Sequence, residues 1–463
     1  MRRLFGPLGL AALNHNPFCS RQPDGHLRKH CIGRPLLPAR ESRSLRWWNN
    51  RRLCGLWCAL TLLSALPLAS AAETLTLEQA VRFAEVHSAA LRLAEAELDA
   101  AQGALADARA LLWNNPELAA EGRRRKAPQL AGRGDANGEW GAGLSQTFEI
   151  AGQQGHRRAA AEQALAAAQE TVAATRRALR AEVERRFVRL LTLEQRIALE
   201  ERLLQVFEKT ATAIARRVQV GENNRLEGNL ARIEQERVGN QLSALAEQRS
   251  AAQGELASLL QWPGADLPMV SGTLERPASH ALAGLLDAAQ ASAAMRALAH
   301  REEAARSRLD LEQAALYPDV TVGLGFSSEG PPQPRRERIT TLSLSVPLPL
   351  FRRNATAIGQ AASAFNQARI EHLAAGRDAQ VAVRTLWQRL QSLDGRVRRL
   401  SAHVLPMLEE NRRLSSKAFA AGEIDLVQLM MVNRQLFDGQ IDLLDAQSEQ
   451  RLTLIDLEAA AGW

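Results

Sequence analysis

Shifted against itself by about 201 residues, this chain falls into register with itself. Gly221-Glu222 lands on Gly422-Glu423, and Trp262 lands on Trp463. Pro116 falls near Pro318, and the segment Leu144 to Ile150 falls near Leu342 to Leu348. An internal duplication of this length limits the fold more than composition does, because each half must adopt the same order of elements. That order reads helix, strand, loop, strand, long helix, turn, helix. The halves are bounded as 72–270 and 271–463, after a leader of residues 1–71.

Helical periodicity predicts helices over 76–113, 155–219 and 223–261 in the first half, and over 280–315, 355–420 and 424–461 in the second. No proline interrupts 155–219, whereas Pro406 alone interrupts 355–420 and is a candidate kink. At 1.5 Å per residue the two long helices reach roughly 95–100 Å. Helices of globular domains run to only about 3–4 turns, so these must lie along other long helices. Two shorter helices laid end to end match one long one, which implies a layered tube or rod. Val188, Leu191, Ile197, Leu203 and Val206 recur near helical spacing, with Arg and Glu between them. Ala159, Ala160, Ala166, Ala167 and Ala168 permit close helix approach. These helices alone are equally compatible with a coiled-coil rod. The low aromatic content, 4% with Tyr317 the one tyrosine, suits long helices better than an α/β enzyme.

Between the first and second helix of each half the period switches to two. In Pro318–Ser327, Val320, Val322, Leu324 and Phe326 alternate with Thr321, Gly323, Gly325 and Ser327. In Thr341–Leu348, Leu342, Leu344, Val346 and Leu348 alternate with Thr341, Ser343, Ser345 and Pro347. The first half repeats this with Trp140, Ala142, Leu144, Phe148 and Ile150. Its partner strand, near Pro116–Arg124, is weaker, with Leu118 and Ala120 on one face. Strands of 8–11 residues match the length of a transmembrane β-strand. The loops Arg123–Glu139 and Gly330–Arg338 are rich in Gly and charge. Since the helices bury their apolar stripes in one another, the hairpin faces need a different cover, and lipid can supply it. Soluble hairpins packed on the helices are the alternative. Four strands cannot close a barrel, and an open edge cannot sit in hydrocarbon, so several copies would have to combine.

The leader explains the charge. Residues 1–71 hold eleven Lys+Arg against two Asp+Glu, a net +9, so the remainder carries −2 of the total +7. A basic body built to bind nucleic acid is therefore excluded as an expectation. Arg51 and Arg52 precede the apolar run Leu53 to Leu68 and then Ala69-Ser70-Ala71, the pattern of a secretory signal peptide cleaved after Ala71. The run, about 16 residues, is short of the ~20 that a spanning helix needs. Residues 1–50 are unlike a signal peptide, which implies a true start downstream of Met1. No lipobox precedes Cys54 or Cys58. All four cysteines lie in the leader, so the exported chain is expected to hold no disulfide, thiol nucleophile or thiolate metal site.

Catalytic constellations are absent by the same reading. The six histidines beyond the leader, His87, His156, His280, His300, His372 and His403, include no pair at i, i+3 or i, i+4, so no local metal pair forms. There is no phosphate-binding Gly-rich loop with a Lys and no nucleophile elbow. Acidic residues are spread among arginines along helices as solvated faces are. Arg123-Arg124-Arg125-Lys126 reads as loop charge. The expectation is a protein that is not an enzyme and has no cofactor or resident metal.

A signal peptide, a ~200-residue duplication, paired strands inside long helices and a Gly at each helix–helix turn together resemble the outer membrane factor (TolC-like) family, over about 74–463. The segment Ser145-Gln-Thr-Phe148-Glu149-Ile150-Ala-Gly152-Gln-Gln-Gly-His-Arg157-Arg158 is most similar to the heavy-metal cation efflux branch. The resemblance implies a mainly α protein with a small membrane β-barrel. Its homotrimer would form a 12-strand barrel in outer-membrane lipid, above a periplasmic α-helical barrel. It also implies a passive duct docked to a periplasmic adaptor and an inner-membrane proton-driven pump. By the same resemblance the turns at Gly221 and Gly422 form the periplasmic tip, with adaptor contact through Val220, Gly221, Arg225, Leu226, Ala421, Gly422 and Leu426. Some members close the tip with acids six and nine residues past the second Gly. Here those positions are Gln428 and Met431, which leaves Glu227 and Asp425 as pore or gate candidates. A Glu227 ring on a threefold axis would attract cations, and a solvated surface Glu is the plainer reading. Two alternatives stand beside a metal-cation duct: a duct for drugs or type I secretion, and a soluble periplasmic coiled-coil structural protein.

Overall fold

The computed structural model describes residues 74–126, 136–264, 269–274, 281–330, 336–351 and 353–463. The leader, the loop tips at 127–135 and 331–335, and His280 lie outside the described residues. The described residues fall in one contact unit, Ser70–Trp463.

Strand β1 (Leu75–Thr76) leads into helices α1 (Leu77–His87) and α2 (Ala89–Ala108). Strands β2 (Glu117–Lys126) and β3 (Ala136–Phe148) follow, then α3 (Gln153–Gln219) and α4 (Arg225–Leu260). The second half opens on β4 (Val270–Ser271) and repeats the order: α5 (Leu282–Gln290), α6 (Ala293–Ala314), β5 (Val320–Glu329), β6 (Glu337–Ser345) and α7 (Ala355–Arg399). A π-turn over Leu400–Val404 then leads to α8 (Leu405–Ala421) and α9 (Leu426–Ala461).

Two expected helices are each broken in two. The 76–113 helix breaks at Ser88, which leaves the helix at ψ 124 and accepts a hydrogen bond from the Leu91 amide through its Oγ. The 280–315 helix breaks before Ser292, whose Oγ accepts from the Met295 amide at 3.3 Å. A serine caps the new helix start in both halves, a role periodicity alone does not register. The breaks lie near the ends of the opposite layer. A Cβ on Gly462, just past α9, would sit 2.4 Å from the Ser292 Cβ. Trp262, just past α4, lies 4.9 Å from the Phe83 ring of α1. Short helices are thus stacked end to end alongside α3.

With 67 residues, α3 is about 100 Å long and is the spine. One half of it, from Leu179 to Leu191, is buried against α1, the end of α4, Val270 and Leu274. The other, from Leu203 to Ile214, is buried against Ala231 and Val238 of α4 and Leu426, Met430 and Phe437 of α9. A third cluster joins Leu285, Val383, Leu390, Leu454 and Leu457.

The strands form a four-stranded antiparallel sheet in the order β2-β3-β5-β6, so the two hairpins are joined across β3 and β5. Leu118, Leu144, Leu324 and Leu342 lie in one row across it, and Ala142, Phe326 and Thr340 in the next. The opposite face carries Gly141, Gly143, Ser145, Gly323, Gly325, Thr341 and Ser343. The strands extend beyond the expected bounds on the loop side, since β2 runs on to Lys126 and β3 begins at Ala136. On the helix side β6 ends at Ser345, so Val346 and Leu348 lie past the strand and not within it. The proline at 347, which cannot donate to a ladder, fits that ending.

Candidate functional site

Two surfaces carry the functional expectations: the pair of helical turns and the exposed sheet face. In each turn the helix ends on a glycine at positive φ, +83° at Gly221 and +77° at Gly422. The Glu222 amide donates to the Arg217 carbonyl at 2.9 Å and the Gly221 amide to the Val218 carbonyl at 3.2 Å. The second turn repeats both bonds, Glu423 to Ala418 at 2.9 Å and Gly422 to Phe419 at 3.1 Å. This six-to-one plus five-to-two pattern satisfies carbonyls that a helix end otherwise leaves open.

The chain then re-enters a helix through a capping side chain. Asn224 Oδ1 accepts from the Glu227 amide at 2.9 Å, and Asp425 Oδ1 accepts from the Gln428 amide at 2.7 Å. Both pore candidates therefore have local duties. Asp425 is the cap of α9, and the Glu227 carboxylate is held by the side-chain amides of Asn223 and Asn224. A carboxylate in the first turn of α4 also meets the positive end of the helix dipole.

Of the expected contact residues, Val220, Gly221, Arg225, Leu226, Ala421 and Gly422 are exposed. Leu426 is not. Only 2% exposed, it is packed in the cluster around Leu203, Phe207 and Phe437. The exposed counterpart of Leu226 is Val427. The glycine register already pairs those two positions, and applying it strictly finds the residue that hydrophobicity alone missed. Beside the turns, Arg434 of α9 bridges to Glu234 of α4 at 3.9 Å and to Asp438 at 3.4 Å. Beneath them Glu200 of α3 is buried near Arg434, Arg196 and Asp438, and that burial pushes its carboxyl above the usual range.

The sheet's apolar face is open to its surroundings. Val322, Leu324, Phe326, Leu342 and Leu344 are exposed on it, and Leu342 reaches 78%. Val320 is half-buried, and Val346 and Leu348 are exposed beyond the strand. The soluble alternative, in which this face packs on the helices, is not what the chain does. The corner between β3 and α3 holds the Glu149–Arg157 pair at 2.6 Å, with Arg157 also 3.9 Å over the Trp113 ring. Gly152 turns this corner at φ +79°, and Gln154 Nε2 donates to the Ala108 carbonyl at 2.8 Å.

Among the described residues no group of His, Cys, Asp or Glu is arranged to hold a metal ion. His300 meets Gln163 at 2.7 Å and His372 meets Glu302 at 2.7 Å, each singly. No helix of the described residues is long and apolar enough to cross a membrane.

Comparison with known proteins bears on both surfaces. Residues 80–260 and 285–463 match the family model described as outer membrane efflux protein. The chain is 27% identical over 394 residues to the cobalt-zinc-cadmium resistance protein CzcC of Cupriavidus metallidurans, covering 83% of this chain and 90% of CzcC. Its fold is similar to that of CusC, with a TM-score of 0.68, 19% identity, and coverage of 83% of this chain and 92% of the other. The same holds for the outer membrane protein VceC of Vibrio cholerae, with a TM-score of 0.68, 20% identity, and coverage of 83% and 96%. With both repeats matched across more than half of its length, the chain belongs to the outer membrane efflux protein family.

Proposed function

We propose that three copies of this chain assemble into an outer-membrane duct that carries heavy-metal cations outward, passively, from a periplasmic adaptor and an inner-membrane proton-driven pump. One observation carries the reading. A four-stranded sheet with an exposed apolar face leaves both edges, β2 and β6, without a neighbouring strand among the described residues. Hydrocarbon does not tolerate open edges, and joining β6 of one copy to β2 of the next removes them. Three copies give twelve strands, an even number that leaves a lumen. In that barrel Val320, Val322, Leu324, Phe326, Leu342 and Leu344 face acyl chains. The Gly, Ser and Thr face lines the water-filled side.

The repeat boundaries, 72–270 and 271–463 after a leader of 1–71, give each copy two equivalent helical turns. Adaptor contact falls on Val220, Gly221, Arg225, Leu226, Ala421 and Gly422, with Val427 in place of Leu426. Export by a signal peptide and cleavage after Ala71 place the helical body in the periplasm. The cation cargo is supported by the relation to CzcC, and a Glu227 ring at the tip would favour cations.

Two measurements test this. Purified protein is expected to migrate as a heat-modifiable trimer and to form cation-selective channels in planar bilayers. A monomer stable in detergent-free buffer overturns the duct. Deletion of the gene is expected to sensitise cells to zinc, cobalt or cadmium. Sensitisation to drugs alone would keep the duct and replace the cargo.

A further inference from the structure

Charge at the loop end of the sheet is sorted by face. Side chains alternate along a strand, so Arg124 shares the face of Leu118, and Arg338 that of Leu342. This is the apolar face, and among the described residues it carries no acid. The opposite face carries Glu121, Glu139, Glu329 and Glu337 with Arg123, which pairs with Glu121 at 3.0 Å. Arg124 and Arg338 are exposed and meet no acid among the described residues. Arg336, exposed just before β6, donates from Nη2 to the Gly138 carbonyl at 2.9 Å. These three arginines stand at the two edges of the sheet, Arg124 on β2 and the others at β6. The inner strands β3 and β5 place Trp140 and Ser328 level with Arg338.

We infer that each junction between copies is an anion site for the phosphates of the outer leaflet's glycolipid, lipopolysaccharide, held by Arg336 and Arg338 of one copy with Arg124 of the next. The inference rests on the reading that three copies close one barrel with its loop end outward. Closure sets β6 of one copy beside β2 of the next. Neighbouring strands lie about 4.8 Å apart, whereas β3 and β5 keep the two edges of one copy about 14 Å apart. The junction therefore gathers guanidinium groups that a single copy holds separate. Charge on an edge strand commonly keeps that edge from pairing, and like charges across a strand pair destabilise it. Both edges must pair for the barrel to close, so the gathered cations need an anion. Their height suits lipid phosphate. Arg124 stands six residues beyond Leu118, and Arg338 four residues beyond Leu342, roughly 20 and 14 Å along the strands from that apolar row. Planar guanidinium forks take phosphate oxygens in pairs. Acyl chains of the same lipid would lie on the apolar rows below, a surface that a free phosphate ion cannot use.

Thermal dissociation of the oligomer tests the site. Full-length protein is purified in detergent, stripped of lipid, and heated with or without lipopolysaccharide, and the oligomer is read on semi-native gels. A ligand that binds only the assembled form stabilises it by mass action. Lipopolysaccharide is expected to raise the dissociation midpoint by several degrees. Phosphatidylglycerol or inorganic phosphate, at equal phosphate concentration, should raise it far less. Combining Arg124→Gln with Arg338→Gln is expected to abolish the rise and to leave the lipid-free midpoint unchanged or higher, because the unmatched cations are gone. Arg338→Gln alone, at an exposed position, should roughly halve the rise, which covers a double variant that does not fold. Arg123→Gln, on the opposite face, should keep it whole. No rise in the parent protein, a rise that survives in the double variant, or an equal loss in Arg123→Gln overturns the site. So does a lipid-free double variant that dissociates earlier than its parent, since the arginines would then hold the copies without lipid. An equal rise with phosphatidylglycerol or inorganic phosphate overturns the glycolipid as occupant. A protein that stays monomeric with and without lipid sinks the barrel and the site together.

Discussion

The two long helices come from one duplicated pattern and have diverged in how they are held. In the first half α3 runs unbroken for 67 residues and buries Leu203, Phe207, Ala211 and Ile214 toward its turn. In the second half the matching stretch is a π-turn followed by α8, and α8 buries no residue at all. The glycine register pairs Leu203 with Val404, Phe207 with Leu408 and Ala211 with Arg412. Pro406 lacks the amide that would donate to the carbonyl four residues back, and the widened turn stands just before it. Its outer wall carries Glu409, Glu410, Arg412 and Arg413 beside an open cleft of about 960 Å³. One copy of the repeat became the spine, while in the other α8 packs mainly on α9 and meets α3 near the turn, where Arg217 lies over the Phe419 ring.

Core truncation should expose that difference most strongly. Phe207→Ala removes a side chain that is 1% exposed and is expected to cost about 3–5 kcal/mol, while Leu408→Ala at the matching half-buried site costs about 1 kcal/mol. Midpoints of guanidinium unfolding in detergent measure both. Equal losses would mean that α8 is as firmly held as α3. Next in size is a proline exchanged between the halves. Gln205 is exposed on α3 at the position matching Pro406. Gln205→Pro is expected to cost about 3 kcal/mol through the backbone alone, since no buried side chain is lost. A negligible cost would show that α3 also accommodates a π-turn.

Glu200 separates the halves by charge, because its counterpart Ser401 is exposed in the π-turn. Burial raises the Glu200 pKa, so the folded protein keeps a proton that the unfolded chain has already released. Stability therefore falls as pH rises from the ordinary carboxylate value through the raised one. Glu200→Gln is expected to remove that decline and to leave the protein more stable at neutral pH. Glu170 has the opposite sign: its hydrogen bond to Arg296 lowers its pKa, so its contribution is present above the ordinary value and lost as pH falls. Unfolding midpoints of the Glu200 variant across pH 4 to 8 read the effect, and an unchanged slope refutes it.

Much of this architecture was legible because it rests on long-range periodicity. A helical pattern over 155–219 without proline, and two glycines in one register, read directly as a spine with a turn at its end. The sheet face was legible for the same reason, since Val322, Leu324 and Phe326 alternate with Gly and Thr. What escaped depends on contacts between segments distant in sequence. Ser88 and Ser292 end helices where the opposite layer's helices terminate, and a cap competes with a continuing helix on a balance of about 1 kcal/mol. Leu426 stands four residues past the turn glycine, where the resemblance places adaptor contact, yet its burial is set by α3.

The smallest difference lies in the turns themselves, where the two halves remain most alike. Gly221 and Gly422 both adopt positive φ, and a Cβ added at either would meet no atom within 4 Å. The cost of alanine there comes from backbone conformation, about 1–2 kcal/mol, with no steric component. Gly221→Ala and Gly422→Ala are therefore expected to lower stability equally. If the turns also bear the adaptor, both variants should weaken its binding less than Leu226→Ser or Val427→Ser does, because those remove exposed apolar surface and leave the capping bonds in place. Titrating the purified protein with a candidate periplasmic adaptor on a biosensor measures this. A loss confined to the glycine variants would show that turn shape, and not the apolar pair beside it, is what the adaptor reads.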